Sequence, residues 1–347
     1  MDNKRRNTLK ASAAGVGALG LAPFVITSAR AQSKVTWRLQ SHYPRVSTSF
    51  EGSLRVIANE LERRTDGGFK IELHGSGEIS SAVQIFDIVK RGVVEIGGTH
   101  PGYHLGDAEL FGLYTGVPGV LQSPWELNYY TKRLGLEAAV NEELRKQGMF
   151  AAALMAYPLE LLLRRLPESD QGLGTLKVHS AGTLLTYLNE AGIAAQHVDG
   201  AELYAALSTG VIEGATWGAA QGALSMKLWE VAKFQMRPAL ALVNDVLLVN
   251  MKAFEKLPQE YQTIFTNLVQ ERYFVRTQEY LLGEILATRT GVDDFDVQVT
   301  QFPDYIAERL RLASRTILEK EMKKGELARE WGEKLANFAA ELGRPVL

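Results

Sequence analysis

The chain of 347 residues carries 38 Lys and Arg against 40 Asp and Glu, a formal net charge of −2, and 46% of it is hydrophobic. That length suits two domains with a sizeable core, and the near-neutral balance excludes the strongly basic signature of a nucleic-acid partner. The absence of cysteine excludes disulfides, thiolate catalysis and Cys-based zinc sites.

The first 31 residues read as an export signal. Lys4, Arg5 and Arg6 form a basic start with twin arginines, Ala11–Ile26 is an Ala- and Gly-rich apolar run, and Ala29-Arg30-Ala31 is a small-x-small cleavage site. The expectation is a twin-arginine signal peptide over 1–31 and a periplasmic protein. An uncleaved anchor is the alternative, but the run is short for a span of about 20 residues.

After it, Val35–Gln40 predicts a strand ending in the polar turn Ser41-His42-Tyr43-Pro44. Ser49–Arg64 is an amphipathic helix with Phe50, Leu54, Ile57, Ala58 and Leu61 at helical spacing. Gly67-Gly68 breaks it, Phe69–Leu73 is a second strand, and Ser81 precedes a helix using Val83, Ile85, Phe86 and Val89. A third strand, Val94–Gly98, runs into Thr99-His100-Pro101-Gly102-Tyr103-His104. This βαβαβ order predicts a parallel sheet, with ligands beyond the carboxyl ends of its strands. His42, Tyr43, His100 and Tyr103 stand there, and His104 close by. Three histidines suggest a metal, but no carboxylate lies at ligand spacing, so no metal site is expected.

A helix over 125–145 and an apolar strand, Met149–Ala156, lead into Tyr157-Pro158-Leu159-Glu160. A second βαβαβ unit follows. Leu176-Lys177-Val178 is a strand, Thr183 is a candidate cap for a helix carrying Leu184, Leu185 and Leu188, and Gly192 ends it. Ile193–Val198 is a strand, Glu202–Ser208 a helix and Gly214–Trp217 a strand. His179 and Trp217 stand at strand ends. A helix over 219–232, a long apolar strand over 239–250 and a helix from Pro258 to about Leu286 come next. That helix is roughly 40 Å long, enough to lie along both lobes. Its stripe is read as Tyr261, Ile264, Phe265, Leu268, Val275 and Leu282. A late strand, Val297–Phe302, precedes a charged helical stretch over 303–341.

The segment Glu202-Leu203-Tyr204-Ala205-Ala206-Leu207-Ser208-Thr209-Gly210-Val211-Ile212-Glu213-Gly214, with Leu176-Lys177-Val178 before it, resembles the DctP-like substrate-binding proteins of tripartite ATP-independent periplasmic (TRAP) transporters. The resemblance extends more loosely over nearly all the chain after residue 31. It implies a periplasmic-binding-protein-like α/β fold of two open lobes joined by crossing strands and a long spanning helix. The expected lobes are discontinuous: 32–156 with 244–284, and 157–243 with 285–347, each carrying its own sheet. The resemblance further implies capture of a small organic solute, an organic acid, without catalysis or cofactor, and delivery to integral-membrane TRAP permease subunits. A monomer is expected, with a dimer left open.

The family carries a carboxylate-clamping arginine where this chain has His179. Relatives for keto acids carry a metal-binding glutamate where it has Thr216. Both departures point away from small dicarboxylates, towards an aromatic or alicyclic monoacid and an affinity that strengthens below the histidine pKa. The candidate ligand-binding residues are His179, Trp217, Tyr43, His42, His100, Tyr103, Tyr157, Leu159 and Thr216. Arg164, Arg165 and Glu160 are further candidates to reach the cleft.

Competing readings are an exported sensor and an exported hydrolase. The second lacks any Gly-x-Ser-x-Gly, phosphate-loop or His-Glu-x-x-His motif, and Gly75-Ser76-Gly77-Glu78 falls short of a dinucleotide fingerprint.

Overall fold

The computed structural model describes residues 34–347 apart from 170, 171 and 173. The signal-peptide reading of 1–31 lies outside them. Among the described residues no helix is long and apolar enough to cross a membrane.

Nine strands form the frame: β1 Val35–Ser41, β2 Phe69–His74, β3 Ile96–Thr99, β4 Met149–Leu163, β5 Lys177–His179, β6 Ala194–Gln196, β7 Gly214–Thr216, β8 Phe234–Asn250 and β9 Gln298–Gln301. They run in the order β2-β1-β3-β8-β4-β7-β5-β6, with β9 beside β8. β1, β2 and β3 are mutually parallel, as are β5, β6 and β7. Between the two sets lie β4 and β8, antiparallel to each other over nearly their whole length.

This gives a two-lobe α/β fold with one correction. The two strand sets do not make separate sheets, because the crossing strands are 15 and 17 residues long, not the shorter runs expected, and pair into both sets. β8 bonds β3 through Val246–Val249 and β9 through Phe234–Arg237. β4 bonds β7 through Leu161–Leu163. The ladder between β4 and β8 slips twice, at Ala153/Met155 and at Leu159/Leu161. Such irregularities bend and twist a ribbon where it passes from one lobe to the other. Both strands are covered on both faces, so Val246–Val249 is fully apolar and buried.

The helix from Gln259 runs to Phe295, 37 residues and beyond the expected end. Gly283 and Gly291 do not stop it, since each backs onto a side chain, Gln221 and the Trp229 ring respectively. Its buried face also differs from the apolar stripe read from sequence. Val275 and Leu282 are exposed, while Arg272, Arg276, Thr277 and Glu284 are buried. The helix lies against β4 and packs polar side chains onto both lobes, so periodicity of apolar residues alone misreads its orientation.

Other boundaries moved for local reasons. The helix expected over 125–145 is interrupted at Gly135, which has φ +96, and resumes as Leu136–Arg145. The stretch over 303–341 breaks into Asp304–Met322 and Glu326–Glu341 at Gly325. The helix read over 219–232 is Ala220–Ser225 followed by a 3-10 turn. Thr183 caps nothing: the helix Gly182–Glu190 starts after Ala181, and the Thr183 hydroxyl is buried without a partner.

Candidate functional site

Parallel strands deliver their following loops to one edge, so β1, β3, β5 and β7 bring four loops to the gap between the lobes. The wall of the cavity there contains His42 and Tyr43 after β1, His100 and Tyr103 after β3, His179 at the end of β5, and Thr216 and Trp217 at the end of β7. The crossing strand β4 adds Tyr157 and Leu159. All nine candidate residues thus line one cavity, of about 50 Å³.

His42 and His100 share a buried floor. His42 Nδ1 lies 3.2 Å from the Gly98 carbonyl, which makes it the protonated nitrogen. His100 Nδ1 is 2.9 Å from Asp245 Oδ1, and the Tyr157 hydroxyl donates to Asp245 Oδ2 at 3.0 Å. His42 Nε2 is 3.9 Å from the same carboxyl group. Burial pushes His42 down to about 3, with His100 adding to the effect, and pushes His100 down to about 4. Burial likewise raises Asp245 well above the usual carboxylate range. A completely buried charge is costly, so the floor stays as close to neutral as its protons allow.

The Thr115 hydroxyl lies 3.0 Å from His100 Nε2, completing a Thr–His–Asp line. Thr115 is 1% exposed and is absent from the cavity wall. That line therefore fixes the imidazole from behind and presents no nucleophile to a solute.

On the opposite wall, His179 Nδ1 accepts the Val198 N–H at 3.1 Å. An imidazole that accepts at Nδ1 carries its proton on Nε2. Burial, then the neighbouring His197, lower His179 to about 3. The pH-dependent charge expected of this residue is therefore moved out of the neutral range, since protonating Nδ1 breaks the Val198 bond. Thr216 uses its hydroxyl within the wall, donating to the His179 carbonyl and meeting Ser180 Oγ. Among the described residues no three His, Asp or Glu side chains converge as a metal site.

Trp217 is half-buried. Its ring packs on Gly200 and stands 6.1 Å from the His179 ring, so it serves the second lobe's core and the cavity together. Tyr103 reaches across, its ring 5.6 Å from His42 on its own side and 5.8 Å from His197 on the other.

Three further candidates turn away. Alternation along β4 sends Glu160 to the opposite face from Tyr157 and Leu159, where it accepts from Gln235 and Arg237. Arg165 is bound to Glu213 at 2.7 Å, and Arg164 lies against Gly210. His104 bonds Thr99 and lies outside the wall.

The sequence reading missed Ser47, Thr48 and Ser49 at the start of the first helix, Ala181 and Leu184 around Gly182, and Gly218 and Gly222 beyond Trp217. It also missed Tyr280 of the long helix, which lines the cavity, and Asp245 behind it. A signal for Asp245 was present: Asn244-Asp245 interrupts an otherwise apolar run from Ala239 to Val249. Tyr280 had none beyond the helix itself.

A model of the bacterial extracellular solute-binding protein family 7, DctP, matches residues 165–324. Over 293 residues the chain is 27% identical to a monocarboxylate 2-oxoacid-binding periplasmic protein of Nostoc sp., covering 82% of this chain and 80% of that one. A TRAP transporter solute-binding protein of Bordetella bronchiseptica, solved with calcium and picolinate, superimposes with TM-score 0.82 at 21% identity, over 90% of this chain and 93% of that one. A TRAP periplasmic solute-binding protein of Pseudoalteromonas atlantica, solved with sodium and pyruvate, gives TM-score 0.81 at 20% identity, over 89% and 95%. In sequence over residues 165–324, and in fold over nearly its whole described length, the chain resembles the DctP-like solute-binding proteins of TRAP transporters.

Proposed function

We propose that the protein is exported to the periplasm, captures a small organic acid between its lobes, and presents the closed complex to a TRAP-type membrane permease. The twin-arginine start of the sequence favours that export route. The first lobe is taken as 32–156 with 244–284 and the second as 157–243 with 285–347, β4 and β8 being shared between them. Residues 157, 217 and 280 bring the ligand into contact with both lobes and the long helix.

One observation carries this reading: four strand-end loops from two lobes close on a single cavity whose wall is lined by hydrogen-bonding and aromatic groups. Interlobe capture by hinge closure follows from that placement. At about 50 Å³ the cavity suits a solute of a few heavy atoms, given roughly 10–15 Å³ for each water-sized centre. This favours the small end of the organic acids over the alicyclic acid expected from the sequence.

The experiment is a thermal-shift screen of the purified protein against small organic acids, followed by calorimetry and by mass analysis of the recovered ligand. Ligand at a hundredfold excess over Kd adds about 2.7 kcal/mol of stability, a shift of several degrees. Recovery of the ligand unchanged supports binding without chemistry. A ligand recovered chemically altered, or no stabilisation by any acid, overturns the reading.

A further inference from the structure

The wall of the cavity contains no Lys, Arg, Asp or Glu among the described residues. An acid entering it finds no ion-pair partner, and burying an unpaired carboxylate costs several kcal/mol unless donors replace its water. One residue of the wall nevertheless holds an unused donor. Tyr43 is 4% exposed and its hydroxyl is buried without any partner among the described residues. Such a group pays a desolvation cost in the empty protein that a ligand acceptor removes.

Two more donors stand in the facing wall. The Val198 N–H fixes His179 with its proton on Nε2. Beside it starts the helix Gly182–Glu190, and the first-turn amides of Gly182, Thr183 and Leu184 have no acceptor among the described residues. Helix N-termini carry about half a positive charge and favour anions.

Behind the wall lies a cation. Arg276 of the long helix is 5% exposed; it donates to the Ser53 hydroxyl at 3.0 Å and to the carbonyl of Thr48, a wall residue, at 3.3 Å. Its nearest carboxylate, Glu279, is 3.9 Å away, while Glu279 meets Arg272 at 2.7 Å. The Arg276 charge is thus incompletely compensated.

We propose, resting on the solute-binding reading, that this cavity selects small monocarboxylates without an arginine clamp. The carboxylate is held by uncharged donors, the Tyr43 hydroxyl, the His179 Nε2–H and the first-turn amides of the Gly182 helix, with Arg276 as a counter-charge one layer behind. No described side chain of the wall is a cation, so one carboxylate can be held by these donors while a second finds no counter-charge there.

The test is calorimetry on the purified protein with pyruvate and L-pyroglutamate, their neutral counterparts pyruvamide and 2-pyrrolidinone, and malonate. At least one monoacid is expected to bind tenfold or more tightly than its neutral counterpart and than malonate. Tyr43→Phe is the diagnostic variant. Its hydroxyl has no partner among the described residues, so the ligand-free melting temperature should hold or rise while monoacid affinity falls about tenfold. Arg276→Gln should weaken the acid and leave the neutral counterpart unchanged. Equal binding of acid and amide, tightest binding of malonate, or undiminished acid affinity in Tyr43→Phe overturns this proposal alone. Failure of every acid and every neutral counterpart to bind overturns the solute-binding reading and this proposal with it.

Discussion

Gly102 and Gly182 meet backbone to backbone between the loop after β3 and the helix after β5. A Cβ on Gly182 would stand 2.6 Å from the Gly102 Cα and 2.6 Å from its carbonyl oxygen. Gly102 belongs to the loop after β3 and Gly182 opens the helix after β5, so this contact joins the two lobes. Gly182 also has φ +56, a conformation that a side chain resists. Closure here rests on two residues without side chains.

Substituting Gly182 should therefore hold the cleft ajar. Gly182→Ala is expected to weaken ligand binding at least tenfold, chiefly through faster release, and to cost about 1 kcal/mol of stability through its φ alone. Gly102→Ala is the contrast: its Cβ would make an ordinary contact with the Gly182 Cα, 3.4 Å away, and crowd only the His100 ring of its own lobe at 2.8 Å, so it should not hold the lobes apart. Calorimetry together with solution scattering checks this. Unchanged affinity and unchanged radius of gyration in Gly182→Ala would refute the closure role.

Glu284 anchors the loop beyond Trp217 to the long helix. Its carboxylate accepts the Ala220 N–H at 2.6 Å and the Gln221 N–H at 2.9 Å, while Gln221 donates back to the Tyr280 carbonyl. Glu284→Ala leaves one buried and one part-buried amide without an acceptor, a cost of about 1–3 kcal/mol, most of it at Ala220. Amide hydrogen exchange at Ala220 and Gln221 should accelerate and ligand affinity fall as the Trp217 loop loosens. Exchange at wild-type rates would show that Glu284 holds nothing that matters.

Much of this site was legible because loops after parallel strands converge. Tyr43, His100, His179 and Trp217 follow strands, and strand ends are visible as apolar runs meeting polar or glycine residues. What was not legible came from the long helix and the crossing strand. Tyr280 and Arg276 sit on the helix face opposite the exposed Leu282, and hydrophobic periodicity favoured the wrong face because the helix buries polar groups against two lobes. Glu160 was a matter of strand parity: Tyr157 and Leu159 in the wall fix Glu160 outside it. The joined sheet was likewise beyond the sequence, since only the full lengths of β4 and β8 reveal that each pairs in both lobes.

Buried neutral histidines set the acid stability. His42, His104 and His179 are lowered to about 3 and His100 to about 4, against an ordinary 6.5. Below 6.5 the unfolded chain takes up protons that the folded one refuses, so these groups stabilise the fold above 6.5. That stability is lost as pH falls towards 4 and 3. Each contributes a slope of at most about 1.4 kcal/mol per pH unit within that window. Glu284, raised to about 7 by burial, runs the other way: its folded form binds the proton more tightly, so stability falls from about 4.5 to 7. Asp245 and Glu160, also raised by burial, oppose the histidines in the same way. The histidine share is therefore read by difference: His104→Gln, outside the cavity, should lose less melting temperature than the wild type between pH 6.5 and 4. An equal loss in both would contradict the buried neutral assignment of His104.

His179 gives the sharpest departure from the reading of the sequence alone. A histidine in the place of a carboxylate-clamping arginine suggests a switchable cation, with tighter anion binding below its pKa. The structure instead gives Nδ1 to the Val198 amide at 3.1 Å and buries the ring to 2% exposure. Charging it requires breaking that bond inside a wall that offers no carboxylate partner. Long-range nitrogen–proton NMR should show one tautomer, protonated at Nε2, down to about pH 4. His179→Ala should lower monoacid affinity about tenfold by removing a donor, and by a similar factor at pH 5.5 and pH 8, because the same neutral donor is lost at both. His179→Arg, which restores a permanent charge, should lose the Val198 acceptor and crowd His197 and Trp217, whose rings lie 5.8 and 6.1 Å away. It is therefore expected to destabilise the ligand-free protein rather than sharpen binding. An imidazole titrating near 6.5, with monoacid affinity rising on protonation, would mean that the Val198 bond does not hold in solution and that His179 works as a cation after all.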